Sequence, residues 1–257
     1  MSFPHFFLSD IQLAHPSWHV ILHQALQAVH QQDPDYLPQL AQSYFLPDAH
    51  RLFAAFSIPH SDVHFVLVGE GPYPRKESAT GYCFMDGAVD EIWSGDVKGG
   101  LSKAVNRATS LRNFVKMLLV ADKQIVLAET GSSAIAPIAQ RLRSDPDNYV
   151  QSMSQLQQNF LRQGFLMLNA SLVFRTDVAP AADARAWLPF LNVVFQSLVL
   201  QDVRPSLILW GKIADRVEQI ASSNGFQKFK SEHPYNLSFV ANPIMQELFA
   251  SFNLLRR

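Results

Sequence analysis

The sequence Val66-Leu67-Val68-Gly69-Glu70-Gly71-Pro72-Tyr73 is an apolar run that stops abruptly at glycine and proline. Residues 64–68 form a short run rich in β-branched and apolar side chains, which predicts a strand buried in a sheet. The glycines and the proline predict a sharp turn at the carboxyl end of that strand, where ligands bind in open α/β sheets. A bland loop would explain the glycines, but not the aromatic side chains of Tyr73 and Phe84 beside them. This stretch therefore predicts a binding pocket.

Outward from this strand, strand and helix patterns alternate along the chain. We predict further strands over residues 165–168, 206–210 and 226–230. Helices are predicted over residues 17–30, 44–56, 110–121, 151–162, 187–200, 213–222 and 243–255, with a short helix and a loop within 129–147. Thr109 or Ser110 is expected to cap the helix that starts at residue 110. The order predicts an α/β fold: one domain over residues 1–257, with a central, mostly parallel four-stranded sheet and helices on both faces.

Composition excludes several classes of protein. The 257 residues are 48% hydrophobic and 17% charged, as in a soluble globular protein with a substantial core. No apolar run is long enough to span a bilayer, and residues 1–8 lack the positive region of a signal peptide, so we expect a cytoplasmic protein. The single cysteine, Cys83, excludes an intrachain disulfide and cysteine-ligated zinc or iron–sulfur centres, and its neighbours suggest a small buried thiol. His19 and His23 share one helix face, but no third metal ligand lies nearby, so a solvated polar face is the preferred interpretation.

The net charge of −1 gives the chain no bulk attraction to nucleic acid. If the protein binds DNA, its cations must be concentrated in a local patch. The candidates for such a patch are Lys103, Arg107, Arg112, Arg175, Lys212 and Lys230.

Four predicted strands end in segments that carry polar or aromatic side chains. These segments are Gly-Glu-Gly-Pro-Tyr (69–73), Leu-Asn-Ala-Ser (168–171), Trp-Gly-Lys (210–212) and His-Pro-Tyr-Asn-Leu-Ser (233–238). Because the carboxyl ends of parallel strands meet at one edge of a sheet, we expect Tyr73, Phe84, Asn169 and His233 to line a single cleft.

At this point the chain resembles the uracil-DNA glycosylases. The first segment is similar, without a gap, to that family's Gly-Gln-Asp-Pro-Tyr-His motif and the Ala-x-Gly-x-x-Phe that follows; the matching residues are Gly69, Pro72, Tyr73, Ala79, Gly81 and Phe84. Residues 163–169 resemble a segment ending Leu-Leu-Asn, residues 209–211 a Leu-Trp-Gly turn, and residues 233–238 a His-Pro-Ser-Pro-Leu-Ser motif. Residues 110–113 stand where a Ser-Leu-x-Asn loop pinches the DNA backbone. The resemblance runs from Trp18 to the C-terminus.

The resemblance implies roles in recognising a base that has been flipped out of DNA. The base would lie among Glu70, Gly71, Tyr73, Phe84 and Asn169. Phe84 would stack on the base, Asn169 would bind its Watson–Crick edge, and Tyr73 would exclude the 5-methyl group of thymine.

The resemblance also implies how the DNA is held and how the bond is broken. Leu237 would fill the vacated stack, while Ser110, Ser238 and the backbone of Gly211 would contact phosphates. His233, as a neutral donor, would stabilise the departing base, with Asn169 as the second catalytic residue. The partner implied is DNA containing uracil or another damaged base, bound by a monomer without a cofactor or a metal.

The first segment also departs from the family motif. Gly71 stands where the family has the Asp that orients the attacking water, and Pro74 stands where it has His. Another branch of the superfamily, with a Gly-Glu-Ala-Pro-Gly motif, also lacks the Asp and has Glu where this chain has Glu70. That branch carries a cysteine-ligated cluster, which one cysteine cannot supply.

Three hypotheses therefore remain open. The first is a uracil glycosylase in which water is placed by the backbone, by Asn169 or by a carboxylate such as Glu70 or Glu77. The second is a glycosylase for a different damaged base. The third is a relative that binds DNA or a protein partner without catalysis. The retention of Tyr73, Phe84, Asn169 and His233 favours the first.

Overall fold

The computed structural model describes residues 4–257, so the first three residues of the N-terminal segment inspected above lie outside it. The chain forms two compact units. The first contains the chain up to Asp86 together with Gly164–Lys228, and the second contains Gly87–Gln163 and Phe229–Arg257. Each unit is built from two separated stretches of the chain, so neither is a consecutive segment. The single domain over residues 1–257 stays a prediction.

The sheet has four strands in the order β2-β1-β3-β4: β1 (Phe65–Gly69), β2 (Phe165–Asn169), β3 (Ser206–Trp210) and β4 (Lys228–Ser231). Strand β1 runs parallel to β2, with Gly69 opposite Asn169, and parallel to β3. All four predicted strands are confirmed with bounds shifted by two residues or fewer. The predicted α/β fold class is confirmed with them.

Strands β1, β2 and β3 are buried on both sides, which is why their sequences are continuous apolar runs, whereas β4 (Lys-Phe-Lys-Ser) is only partly buried. Residues on one side belong to the core of the first unit: Val66, Val68, Leu166, Leu168, Leu207 and Leu209. The alternate residues Leu67, Met167 and Ile208 are also buried.

The described residues form the following helices: α1 (His5–Ile11), α2 (His19–Gln32), α3 (Tyr36–Ala41), α4 (Lys103–Arg107), α5 (Thr109–Ala121), α6 (Ser132–Arg143), α7 (Met153–Arg162), α8 (Pro180–Ala186), α9 (Leu188–Val199), α10 (Ile213–Glu218) and α11 (Pro243–Ala250). In the first unit α2 packs on α9. In the second unit α5 packs on α11 and on the 3₁₀ turn Leu237–Ala241. No helix of residues 4–257 is long and apolar enough to cross a membrane.

The helix predicted over residues 44–56 is wrong. Only Ala54–Phe56 is helical there, as a 3₁₀ turn. Pro47 lacks an amide hydrogen and disfavours helix in the residue before it, and Ala49 and His50 follow with φ of 54° and 59°.

The predicted cap of α5 is also wrong. Its N-cap is Ala108, which supplies no side-chain hydrogen bond, and Thr109 is already the first helical residue. The first-turn amide groups of α5 are therefore left without the capping oxygen that Thr109 or Ser110 would have supplied.

Candidate functional site

Asn169 lies over a glycine at the end of the neighbouring strand. A Cβ atom built on Gly69 would lie 2.7 Å from the Cβ of Cys83 and 2.8 Å from Oδ1 of Asn169, so only glycine leaves room for the amide. Asn169 is 3% exposed, and none of the hydrogen bonds found among residues 4–257 involves its side-chain amide. The amide is therefore not used up by bonds within the described part of the protein and can bind a ligand. The geometry therefore suits the predicted role of Asn169 in binding a base edge.

Cys83 is a structural thiol, as predicted. Its Sγ donates to the carbonyl of Leu67 at 3.1 Å, and its backbone N–H donates to the carbonyl of Met167 at 3.0 Å. Burial raises the pKa of the Cys83 thiol, so it stays protonated and unreactive. These bonds hold the next residue, Phe84, against the ends of β1 and β2.

Phe84 has a strained backbone. Its φ is +65°, a conformation that is a true outlier for a bulky side chain, and its ring meets the edge of Trp210 at 5.1 Å between centroids. Tyr73 Oη donates to the carbonyl of Phe84 at 3.5 Å. Burial, with the nearby charge of Asp86, raises the pKa of Tyr73, which keeps the phenol neutral. A strained backbone conformation like that of Phe84 typically costs about 1–3 kcal/mol, and residues with such strain cluster at functional sites.

Glu70 and Gly71 are exposed at the turn after β1. A Cβ built on Gly71 would make only ordinary contacts, at 3.6 Å to Cβ and 3.7 Å to the carbonyl oxygen of Ser171. Its φ lies outside the left-handed region. Nothing in the backbone therefore demands glycine at position 71, although Gly69 two residues earlier has no alternative.

Gly211 begins the turn that follows β3. Its φ of +74° is one that glycine adopts without strain, and its carbonyl accepts from the N–H of Ala214 at 3.2 Å. This is the third strand end that the sequence singled out.

His233 follows β4 and is held in one tautomer. Its Nδ1 accepts a hydrogen bond from the backbone N–H of Tyr235 at 3.1 Å. An acceptor nitrogen carries no proton, so in the neutral ring the proton is on Nε2 and that atom is a donor.

Asn113 holds the loop that carries His233. This side chain, 1% exposed on α5, donates from Nδ2 to the carbonyls of Pro234 at 2.8 Å and Tyr235 at 3.3 Å. The sequence indicated Asn113 only as part of a DNA-pinching segment. The available signal was an amide on the apolar face of a helix, because a buried amide must find partners.

A second hydrogen bond anchors the loop that carries His233, through its neighbour Glu232. Its Oε2 accepts from Nδ2 of Asn242 at 2.8 Å, and Asn242 caps α11 through Oδ1 and the N–H of Met245 at 3.1 Å. Partial burial opposes ionisation of Glu232, but hydrogen bonds from its own backbone, Ser238 and Asn242 leave its pKa lowered. His233 is therefore flanked by an ionised and anchored neighbour.

The predicted DNA contacts of the second unit are accessible. Leu237 is 66% exposed, Ser238 is exposed and Ser110 is half-buried in the first turn of α5. A large apolar side chain held in solvent on an anchored loop suits the predicted wedge.

The prediction that Arg175 is an available DNA-binding cation is wrong. Its side chain is 12% exposed, and its guanidinium donates to Asp183 from Nη2 to Oδ1 at 2.6 Å and from Nε to Oδ2 at 3.2 Å. Lys103, Arg107, Lys212 and Lys230 are exposed, and Arg112 is half-buried. The sequence interpretation also missed Lys98 and Lys116, which accompany Arg112 in a cavity of the second unit.

The structure thus groups Tyr73, Phe84 and Asn169 around Cys83 in the first unit, and His233, Asn113 and Leu237 in the second. That Tyr73, Phe84, Asn169 and His233 line one cleft stays a prediction.

The chain was compared with known proteins. No family model matches it. It is 23% identical over 235 residues to the uracil-DNA glycosylase of Flavobacterium johnsoniae, covering 89% of this chain and 86% of the relative. It is 26% identical over 206 residues to that of Deinococcus radiodurans, covering 79% and 68%.

Solved structures give a stronger match. The crystal structure of wild-type UNG from Nitratifractor salsuginis is 38% identical, with a TM-score of 0.87 over 97% of this chain and 96% of that one. The mimivirus uracil-DNA glycosylase, at 16% identity and a TM-score of 0.56 over 90% and 73%, shares the fold. On the extent and identity of the first of these matches, this chain belongs to the uracil-DNA glycosylase superfamily.

Proposed function

We propose that the protein hydrolyses the N-glycosidic bond of uracil, or of a related damaged base, after that base has flipped out of DNA. The observation that carries the proposal is the tautomer of His233: Nδ1 accepts from the N–H of Tyr235, so Nε2–H is a donor from a neutral ring. The proposal includes action as a cytoplasmic monomer without a cofactor.

In the proposed reaction the bond between C1′ of the sugar and N1 of uracil breaks, and its electron pair leaves with the base. The base becomes an anion and the sugar becomes cationic at C1′. Water then bonds to C1′ and releases a proton to solvent, which leaves free base and an abasic site. Nε2–H of His233 would donate to the carbonyl oxygen on which the negative charge accumulates. A preorganised donor of this kind contributes about 3–4 kcal/mol, or a factor of about 10²–10³.

Recognition is proposed for the side chains that the first unit groups together. The amide of Asn169, which is not engaged in a hydrogen bond within residues 4–257, offers one donor and one acceptor, which is what the edge of uracil requires. Phe84 would stack on the base, and the neutral Tyr73 would exclude a 5-methyl group. Glu70 and Gly71 complete the proposed base site.

DNA would be held by contacts that do not depend on sequence. Ser110, Ser238 and the backbone of Gly211 are proposed to contact phosphates, and the exposed Leu237 to fill the vacated stack.

The missing carboxylate at Gly71 favours a second candidate, a catalytically impaired protein that binds DNA or a protein partner. If the enzyme is active, water is placed by the backbone, by Asn169 or by the exposed carboxylates of Glu70 or Glu77. We then expect excision slower than in relatives that carry the Asp.

The test is a single-turnover excision assay on oligonucleotides that contain uracil or hypoxanthine. We expect uracil release by the wild type and a loss of about 10²–10³ in His233→Ala. Gly71→Asp has room beside Ser171 and should increase the rate. A preference for hypoxanthine would instead indicate a glycosylase for a damaged base other than uracil. Absence of cleavage by both the wild type and Gly71→Asp, with DNA binding retained, would establish the binding protein instead.

A further inference from the structure

A cavity of about 600 Å³ lies within the second unit, on the face of α5 that carries Arg112 and Lys116. Residues 98–101 and the start of α6 form its other walls, and Leu237 is at its rim. None of these features belongs to the proposed base site. The cavity is large enough for more than one phosphodiester group.

The walls of the cavity are positively charged. Lys98, Arg112 and Lys116 line it, and no carboxylate is among the residues that do. Arg112 and Lys116 are four residues apart on α5 and therefore neighbours on one face. Nη1 of Arg112 donates to the carbonyl of Asn106 at 3.0 Å, which holds the guanidinium at the cavity. Burial, with the charge of Arg112, lowers the pKa of Lys116, as expected for cations that lack an anion between them.

Neutral donors add to this charge. Helix α6 begins at Ser132 with Gly131 as N-cap and no side-chain capping bond, so its first amide groups are available. Ser132 and Ser133 are exposed and line the cavity.

The position of Leu237 indicates which anion the cavity takes. This side chain is 66% exposed at the rim and is the proposed wedge. A wedge inserted into the base stack brings the sugar–phosphate backbone next to it within reach of the cavity.

We propose that the cavity lined by Lys98, Arg112, Lys116 and the start of α6 binds backbone phosphates of the DNA strand beside Leu237. This inference rests on the proposed function. It extends the DNA contact beyond Ser110, Ser238 and Gly211, and it explains how a chain with a net charge of −1 presents a local cationic surface.

The test is the salt dependence of DNA affinity, measured between about 50 and 300 mM salt on a duplex with a stable abasic-site analogue. Each phosphate contact contributes about −0.9 to the slope of log K against log salt. The Lys98→Gln/Lys116→Gln double variant should weaken binding and make the slope less negative by about 1–2. The Lys98→Arg/Lys116→Arg variant keeps both charges and should restore the slope.

Two controls separate the possible results. Arg204→Gln removes one exposed charge just before the start of β3, at the opposite end of that strand from Gly211, and should leave affinity and slope as in the wild type. A wild type that releases uracil while the double glutamine variant keeps its slope would overturn the cavity assignment and leave the function standing. A wild type that neither binds nor cleaves DNA would overturn both. A titration with inorganic phosphate shows whether the protein binds free phosphate. If the double glutamine variant loses phosphate binding but keeps the salt slope of its DNA affinity, the cavity binds free phosphate and the proposed DNA contact is rejected.

Discussion

Two glycines in one turn have different physical reasons for being glycine. Gly69 lies where any Cβ atom would collide with Cys83 and with the amide of Asn169, whereas Gly71 leaves open space beside Ser171. The first glycine makes room for the side chain that is proposed to bind the base. The second stands, without any steric need, where the resemblance implies a carboxylate, so the expected difference is one of chemistry and not of packing.

Gly69→Ala tests the placement of Asn169. The added methyl group must displace the amide, because the Cβ of Cys83 on the other side is held by two hydrogen bonds. We expect single-turnover excision to fall by about 10²-fold, since a misplacement of about 1 Å has an effect of this size. Gly71→Ala, whose methyl group fits, is the matched control and should have a much smaller effect. Equal rates for the two variants would contradict the role given to Asn169.

The middle of helix α5 carries side chains near the proposed site, and its C-terminal end carries a buried, destabilising carboxylate. Asn113 on its buried face holds the His233 loop, and Arg112 and Lys116 face the cavity. At its C-cap is Asp122, with both carboxylate oxygens buried and without a hydrogen bond in residues 4–257. A negative charge at the C-terminus of a helix is also unfavourable.

Burial, partly offset by the charge of Arg256, raises the pKa of Asp122 to about 6. In the unfolded chain the same group titrates near 3.9. Between about pH 4 and pH 6 the folded state therefore binds more protons than the unfolded state, so stability falls as pH rises and the loss is complete above pH 6.

Asp122→Asn removes this charge. We expect its free energy of unfolding to exceed that of the wild type by about 1–3 kcal/mol at pH 8 and to be nearly equal at pH 4. Urea unfolding at both pH values measures the difference. Asp147→Asn changes an exposed aspartate of the same unit and should have little effect at either pH. A gain for Asp122→Asn that does not depend on pH would show that the buried charge is not its cause.

At the scale of the whole molecule, the first unit is held together by a buried ionic network as well as by its apolar core. Asp183 of α8 accepts from Arg175, in the segment after β2, and from Tyr36 of α3 at 2.7 Å. The guanidinium also lies over the Tyr36 ring, 5.7 Å from its centroid. The segment that leaves the end of β2, and with it Asn169, is thus connected to two helices.

Arg175→Met tests this network. It leaves the carboxylate of Asp183 buried without its cation, so we expect a loss of about 3–5 kcal/mol in the free energy of unfolding. Arg175→Met/Asp183→Leu removes both charges and should recover much of the loss. Arg51→Met breaks the more exposed pair with Asp48 and should cost about 1 kcal/mol or less. A similar effect of the two single variants in urea unfolding would show that burial does not strengthen the Arg175 pair.

Local sequence patterns were sufficient to predict the strands, the turns at their carboxyl ends and the resemblance to the family. Strand β1 is an unbroken apolar run because both of its sides are buried, and the glycine and proline that follow act on their own peptide units. These signals depend on neighbours in the chain, so the four strands were predicted to within two residues. Seven helices were also predicted, although α10 and α11 end four and five residues earlier than predicted, and α1, α3, α4 and α8 were missed. The helix over residues 44–56 failed because Pro47 and the left-handed residues after it outweighed the apolar spacing.

Contacts between distant residues could not be predicted, because the partner of a polar side chain is set by folding and not by its neighbours. Arg175 reads as an available cation, but it is neutralised by Asp183 within a network that includes Tyr36, 147 residues away from Asp183. The sequence indicated Asn113 only as part of a segment that contacts DNA, but it donates to a carbonyl 121 residues away and so positions the loop that carries His233. Arg112 and Lys116 are neighbours on α5, but Lys98 joins them only in the folded second unit, where all three line one cavity.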